Sequence, residues 1–217
     1  MSFGAWYGRV VFPRLMEWAL NSDVCSAERR RALAGARGEV LEIGFGTGLN
    51  LAHYPSGPAG PAGPAGVTAL TIIDSADLLP ARVADRIAAA PFPVTRAQLD
   101  AERLPFADAT FDSVVSTWTL CSIPDPVAAL REIRRVLRPD GAFLFLEHGL
   151  SDRPEVARWQ HRWNPIQRWV ACGCNVNRPI DRMIADGGLV VRDLTRFVLP
   201  GEISMMAEMY RGTAARP

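Results

Sequence analysis

The chain has 217 residues, enough for a single well-buried domain, and its formal charge of +1 with 48% hydrophobic residues describes a globular protein with no basic excess for nucleic acid. Every one of its 24 basic residues is arginine, which removes Schiff-base lysines and the P-loop lysine. Four cysteines, Cys25, Cys121, Cys172 and Cys174, are too few and too irregular for a disulfide framework, so a reducing cytoplasm is the expected compartment.

Residues 1–37 read as a helical, amphipathic cap broken around Pro13, with Trp6, Tyr7, Val10, Phe12, Leu15, Met16 and Trp18 spaced over one side. Arg9, Arg14 and Glu17 interrupt its apolar residues, so it does not read as a secretion signal. Plain packing against the core is the favoured role, ahead of a lid or a membrane-surface helix; as a lid, it would turn Tyr7 toward a cofactor.

Val40, Leu41 and Ile43 form the apolar run of a buried parallel strand, which stops at Gly44-Phe45-Gly46-Thr47-Gly48. Three glycines in that turn let the backbone bend tightly and approach a ligand closely. The spacing is G-x-G-x-G, with the third glycine one residue early and Leu49 where a dinucleotide fingerprint has it, so a nicotinamide oxidoreductase is disfavoured. Glu42, an acid at the strand end, suits a ligand with a cationic amino group. The pattern formed by Glu42, Gly44, Gly46 and Gly48 resembles the first motif of the class I S-adenosylmethionine (SAM) methyltransferases. The resemblance implies SAM as cofactor and S-adenosylhomocysteine as product.

A helix is expected over Leu49–Tyr54, its first amides facing the ligand. The Gly-Pro-Ala repeat at 57–66 reads as a surface insertion, and its prolines prevent the uncharged stretch from Leu51 to Ile73 from forming a membrane-spanning helix. A second strand, Val67–Ile73, ends at Asp74. An acid there, about twenty residues past a glycine turn plus the length of the insertion, accepts hydrogen bonds from ribose hydroxyls. A helix from Pro80 to about Ala89 and a third strand, Pro93–Leu99, follow. The resemblance places the adenine near Ser75, the Asp100 side chain and the Ala101 amide.

The fourth strand runs from Phe111 through Val115 to an end at Ser116-Thr117. Asp125 and Pro126 cap a helix with Val127, Leu130, Ile133 and Leu137 on one face, and Pro139-Asp140-Gly141 turns the chain into a fifth strand, Ala142–Glu147. The runs LPFADATFDSVV and REIRRVLRPDGAFLFLEHG read like later motifs of the same methyltransferase class. Helices over 155–171 and up to Asp186, within a substrate-side region at 149–188, precede an antiparallel pair, Leu189–Leu199 and Ile203–Arg211.

Alternating strands and helices argue for an α/β, Rossmann-like doubly wound sheet, mostly parallel with an antiparallel C-terminal strand. Glu42, Gly46, Asp74, Asp100 and Thr117 then all lie at strand C-terminal ends. Tyr54-Pro55, Thr119-Leu120-Cys121-Ser122, Glu147-His148 and Gly173-Cys174-Asn175 with Arg178 resemble a narrower methyltransferase-like family that includes animal thiol S-methyltransferases. That resemblance implies methyl transfer to a small apolar acceptor, a thiol among the candidates. Lipid head groups, quinones and natural products are the alternative acceptors, and a SAM-binding module without turnover is an alternative of another class. Membrane contact is not indicated, and the oligomeric state is not legible.

His148, where the fifth strand opens into the crevice, is the candidate base. Cys121 and Cys174 could touch substrate, although buried cysteines commonly serve as small core hydrophobes. Cys172 and Cys174 with His161 lack zinc-type spacing and a fourth ligand, so no metal is expected. Asn177 suits a helix N-cap, and Arg178 could orient a polar substrate end.

Overall fold

The computed structural model describes residues 6–57, 66–76, 78–201 and 203–217. Most of the Gly-Pro-Ala repeat and the first five residues of the N-terminal cap lie outside them. A turn of π-helix, Tyr7–Val11, leads into α1 (Phe12–Leu20), and α2 is Asp23–Leu33. The helical run changes from π to α at Phe12, beside Pro13, so the proline marks a change of helical type at the start of α1.

Seven strands form one sheet: β1 (Gly38–Ile43), β2 (Val67–Asp74), β3 (Val94–Gln98), β4 (Phe111–Thr117), β5 (Leu137–His148), β6 (Val190–Val198) and β7 (Glu208–Ala215). Their spatial order is β3-β2-β1-β4-β5-β7-β6. β1 pairs in parallel with both β2 and β4, and β7 alone runs antiparallel to its neighbours β5 and β6. The chain order reverses across the β1–β4 pair, which is where a doubly wound sheet opens a ligand crevice.

Helices α3 (Pro80–Ala88), α4 (Pro126–Val136), α5 (Pro154–Val170) and α6 (Ile180–Asp186) complete the fold. Side chains alternate across the sheet, so β1 divides between two core layers. Leu41 and Ile43 join Leu130 and Ile133 of α4 and Ile180 and Ile184 of α6 on one face. Val40 joins Leu33 of α2 and Val83 of α3 on the other. Burial on both faces is why the inner part of β1, from Val40 to Ile43, is apolar except for Glu42.

Three expected boundaries moved. The helix at Leu49–Tyr54 is a single 3-10 turn, Leu51–His53, because Asn50 gives its side chain to Glu42 and Thr117 instead of capping a helix, and Pro55 disfavours continuation. Pro139-Asp140-Gly141 lies within the span of β5, which begins at Leu137, and the ladder with β4 shifts register there. β7 starts at Glu208, five residues later than the expected last strand, since the Ile203 carbonyl accepts the Met206 and Ala207 amides in a local turn.

Candidate active site

A cavity of about 540 Å³ lies over the C-terminal ends of β1, β2, β4 and β5. Gly44 has φ 65°, and a Cβ there would fall inside the Thr119 side chain, so glycine is required. Gly46, at φ 59°, has no atom closer than 4.0 Å to an added Cβ, so any side chain there would project into open cavity. Asp74 ties this turn to β2, accepting the Gly46 amide at 2.8 Å through Oδ2 and the Ala76 amide at 3.0 Å through Oδ1. Its burial pushes the Asp74 carboxyl above the ordinary range.

Beneath this floor Glu42, 1% exposed, accepts from Asn50 Nδ2 at 2.9 Å and from the Tyr54 hydroxyl at 2.7 Å. Burial raises its pKa to about 7. Asn50 also donates to Thr117 Oγ1 at 2.9 Å, while its own Oδ1 is buried without a partner among the described residues. Asn50 lines the cavity, and sequence reasoning missed it: only its place just past the glycine turn marked it.

Gly44, Phe45, Gly46, Asp74, Ser75, Asp100, Ala101, Thr117 and His148 all line the cavity. Three expected contacts do not. Glu42 shares the Val40 face and stays under the floor, and Gly48 stands behind the Phe45 ring, which an added Cβ would meet at 2.8 Å. Tyr7 turns toward Phe12, with ring centroids 6.2 Å apart, and it is Phe12 that reaches the cavity.

The N-terminal segment also covers the cavity, through Gly8, Phe12, Pro13, Met16 and Leu20. Glu17 of α1 accepts from Thr47 Oγ1 in the glycine turn and pairs with Arg86 of α3, which also donates to the Thr47 carbonyl. Arg29 of α2 donates to the Leu20 carbonyl at 2.6 Å and lies 4.6 Å over the Trp118 ring. Burial lowers its pKa to about 10, which leaves it charged at neutral pH, and its Nε has no partner among the described residues.

The opposite wall gathers Cys121, His148 and Cys174, all buried. His148 Nε2 is 3.1 Å from Cys174 Sγ, and Cys121 Sγ is 3.4 Å from Ser122 Oγ. The Cys174 thiol, donating to Cys121, and the adjacent His148 hold the Cys121 thiol well below its ordinary pKa. The loop after β4 is pinned from behind. Buried Glu147 accepts from Ser116 Oγ at 2.6 Å, the Thr119 amide at 2.8 Å and the Leu120 amide at 3.2 Å.

Asn175 donates its amide and its side chain to the Cys121 carbonyl, each at 2.9 Å, and Arg178 donates to the Leu120 and Ile123 carbonyls. Arg178 therefore supports the loop and its guanidinium faces backbone. Asn177 bonds His161 Nδ1 at 3.0 Å and does not cap α6. That pairing takes His161 away from Cys172 and Cys174, and the cluster that forms joins Cys174 to Cys121 and His148.

A family model described as a methyltransferase domain matches residues 41–145. Human thiol S-methyltransferase TMT1B is 34% identical over 152 residues, covering 68% of this chain and 59% of the relative. Phosphatidylethanolamine N-methyltransferase of Cereibacter sphaeroides is 31% identical over 188 residues, covering 82% of this chain and 86% of the relative. The chain belongs to the class I SAM-dependent methyltransferases. It spans between 59% and 65% of the length of the human thiol S-methyltransferases it matches. This methyltransferase fold also overlays the solved structure of Burkholderia thailandensis 1,6-didemethyltoxoflavin-N1-methyltransferase, described with bound S-adenosylhomocysteine. The TM-score is 0.60 at 18% identity, covering 100% of this chain and 91% of that one.

The methyltransferase cofactor SAM fits the groups present. It carries an ammonium, a carboxylate, two ribose hydroxyls and an adenine amine. The cavity offers the orphaned Asn50 Oδ1, the Arg29 cation, the Asp74 carboxylate and the Asp100 carboxylate.

Proposed function

We propose that the protein transfers the methyl group of SAM to a small, apolar thiol. The observation that carries this reading is the continuity of one cavity from the glycine turn and Asp74 to the wall of Cys121, His148 and Cys174. When bound, SAM supplies an electrophilic methyl on a sulfonium, displaced in line by the acceptor. The protein then has to hold two reactants in line and keep water out. Asp74 accepts from the ribose hydroxyls, and Asp100 with the Ala101 amide meets the adenine. Arg29 faces the carboxylate, and Asn50 Oδ1, with the charge of Glu42 behind it, faces the ammonium. Phe12, Met16 and Leu20 of α1 roof the site. A free thiol, with a pKa near 8.5, is already a few per cent thiolate at neutral pH, so it needs less activation than an alcohol. His148 lines the same wall as Cys121 and Cys174.

A second reading takes a lipid head group as acceptor. It is supported by the near full-length match to a phosphatidylethanolamine methyltransferase and by Trp159, Trp163, Ile166 and Val170, which are exposed along α5 beside the cavity-lining Gln167 and Ala171. No helix among the described residues is long and apolar enough to cross a membrane, so such an acceptor would be met at a membrane surface.

The test is S-adenosylhomocysteine formation from purified protein and SAM, with small thiols in parallel with phenols, amines and phosphatidylethanolamine vesicles. Turnover with thiols is the expected result. Turnover with vesicles alone moves the acceptor to the head group, and tight SAM binding without turnover on any acceptor supports a binding module.

A further inference from the structure

The geometry points to a binding site for one thiophilic divalent cation of the zinc type, held by Cys121, His148 and Cys174, with its fourth position open to the cavity. Two thiols and an imidazole are the donor set that zinc prefers, and three protein ligands with one open position is the arrangement of its catalytic sites. The donor atoms lie within 4.8 Å of one another, and all three residues are buried. Donors around a tetrahedral zinc, bonded at about 2.0–2.3 Å, sit between about 3 and 4 Å apart, so a modest contraction brings them into one coordination sphere. Nε2 of His148 is the ring nitrogen facing Cys174, so it is the ligand, and Nδ1 keeps the proton.

Without a cation the cluster is poorly satisfied. Nε2 of His148 meets only sulfur, a weak hydrogen-bond partner but a ready co-ligand. The two cysteines are also held by a rigid second layer. Glu147 and Arg178 fix the loop that carries Cys121, and Asn175, next to Cys174 in the chain and itself bonded to Asn164, donates to the Cys121 carbonyl. Two thiolates balance the charge of the dication, and the protons they release on binding go to solvent.

The open position gives the cation a task, and this part rests on the thiol reading above. An acceptor R–SH coordinates as R–S⁻, its proton passing to water. A sulfur lone pair then forms the new S–CH3 bond as the methyl–sulfonium bond breaks and leaves its electrons on S-adenosylhomocysteine. The balance is R–SH + SAM⁺ → R–SCH3 + S-adenosylhomocysteine + H⁺. The neutral thioether product is a weak ligand and departs. His148 is then a metal ligand, not a base.

Cobalt(II) is the probe. The full chain, stripped with a chelator under reducing conditions, is titrated with cobalt and followed by optical absorption. The expected result is one equivalent bound per chain, with thiolate-to-cobalt charge-transfer bands and tetrahedral visible bands that zinc abolishes. Cys121→Ser and Cys174→Ser should each weaken those bands and lower affinity, while Cys172→Ser leaves both unchanged. S-adenosylhomocysteine binding by calorimetry confirms that each variant is folded. Wild-type protein that binds no cobalt overturns the site, as do folded Cys121→Ser and Cys174→Ser variants that retain the wild-type spectrum. Thiol turnover that rises when zinc is restored supports the activating role; turnover indifferent to zinc on a protein that binds it overturns that role alone. Zinc binding with no thiol turnover but turnover on another acceptor locates the failure in the thiol reading and leaves the metal site standing.

Discussion

Asp74 takes the Gly46 amide on one carboxylate oxygen and the Ala76 amide on the other, so it shapes the glycine turn as well as offering lone pairs to a ribose. Asp74→Ala should therefore lower S-adenosylhomocysteine affinity by about 1.5–3 kcal/mol, the range for a hydrogen bond to a charged group. Unchanged calorimetric binding would refute the ribose assignment. Glu42 carries a prediction in pH. Its folded pKa, about 7, stands above the usual carboxyl value of 4.5 because burial disfavours the charge. The stability of the free protein due to this group is thus fully present below about 4.5 and lost as pH rises through about 7. A ligand ammonium nearby favours the ionised form, so binding should release a proton and tighten as pH rises from about 5.5 to 7.5. Calorimetry in buffers of different ionisation enthalpy reads this release directly, and Glu42→Gln should flatten the profile; proton uptake by the wild type would sink the idea. Asp74 was legible as an acid at a strand end beside the glycine turn, whereas Glu42, read by the same rule, lies under the cavity floor and does not line it. Asn50 was not legible, since its significance is an unpaired oxygen that exists only once Glu42 and Thr117 claim its amide nitrogen.

Among the elements, α1 is the one whose role changed on folding. Its apolar spacing predicted packing, and it does pack, but against the cavity rim. The difference lies in Glu17, a buried acid on the apolar side of the helix that reads in sequence merely as an interruption. Its partners, Thr47 and Arg86, belong to the glycine turn and to α3, so the cover is latched to the cofactor site by charge-assisted bonds. Glu17→Gln keeps the shape and removes the charge. We expect faster amide exchange across residues 12–20 and a raised KM for SAM, from the loss of about 1–3 kcal/mol. Native exchange rates in that variant would mean that α1 is held by apolar packing alone. The same distinction explains the shifted boundaries: β7 begins at Glu208 because a turn at Ile203–Ala207 satisfies the backbone there, and local apolarity does not report it.

At the scale of the whole molecule, the parallel core was legible because its short apolar runs stop at polar residues or glycine, at Gly44, Asp74, Thr117 and His148. The wall of Cys121, His148 and Cys174 was not, because these residues come from the β4 end, the β5 end and the turn after α5, and only the sheet order brings them together. Cys172 and Cys174, two residues apart, drew attention to His161, which the fold sends to Asn177. Since the cavity is roofed by α1, floored by β1 and β2 and closed by the β4–β5 ends, a ligand filling it links the parts of the fold, and binding should appear as global stability. At one hundred times its dissociation constant, S-adenosylhomocysteine adds about 2.7 kcal/mol. With about 2–4 °C per kcal/mol for a chain of this length, Tm should rise by about 5–10 °C. Gly46→Val puts a branched side chain into the space the ligand needs, at a backbone angle that valine resists, so this variant should start from a lower Tm and show no rise. A full ligand-induced rise in Gly46→Val would mean that the cofactor lies elsewhere, and the assignment of the glycine turn would fall with it.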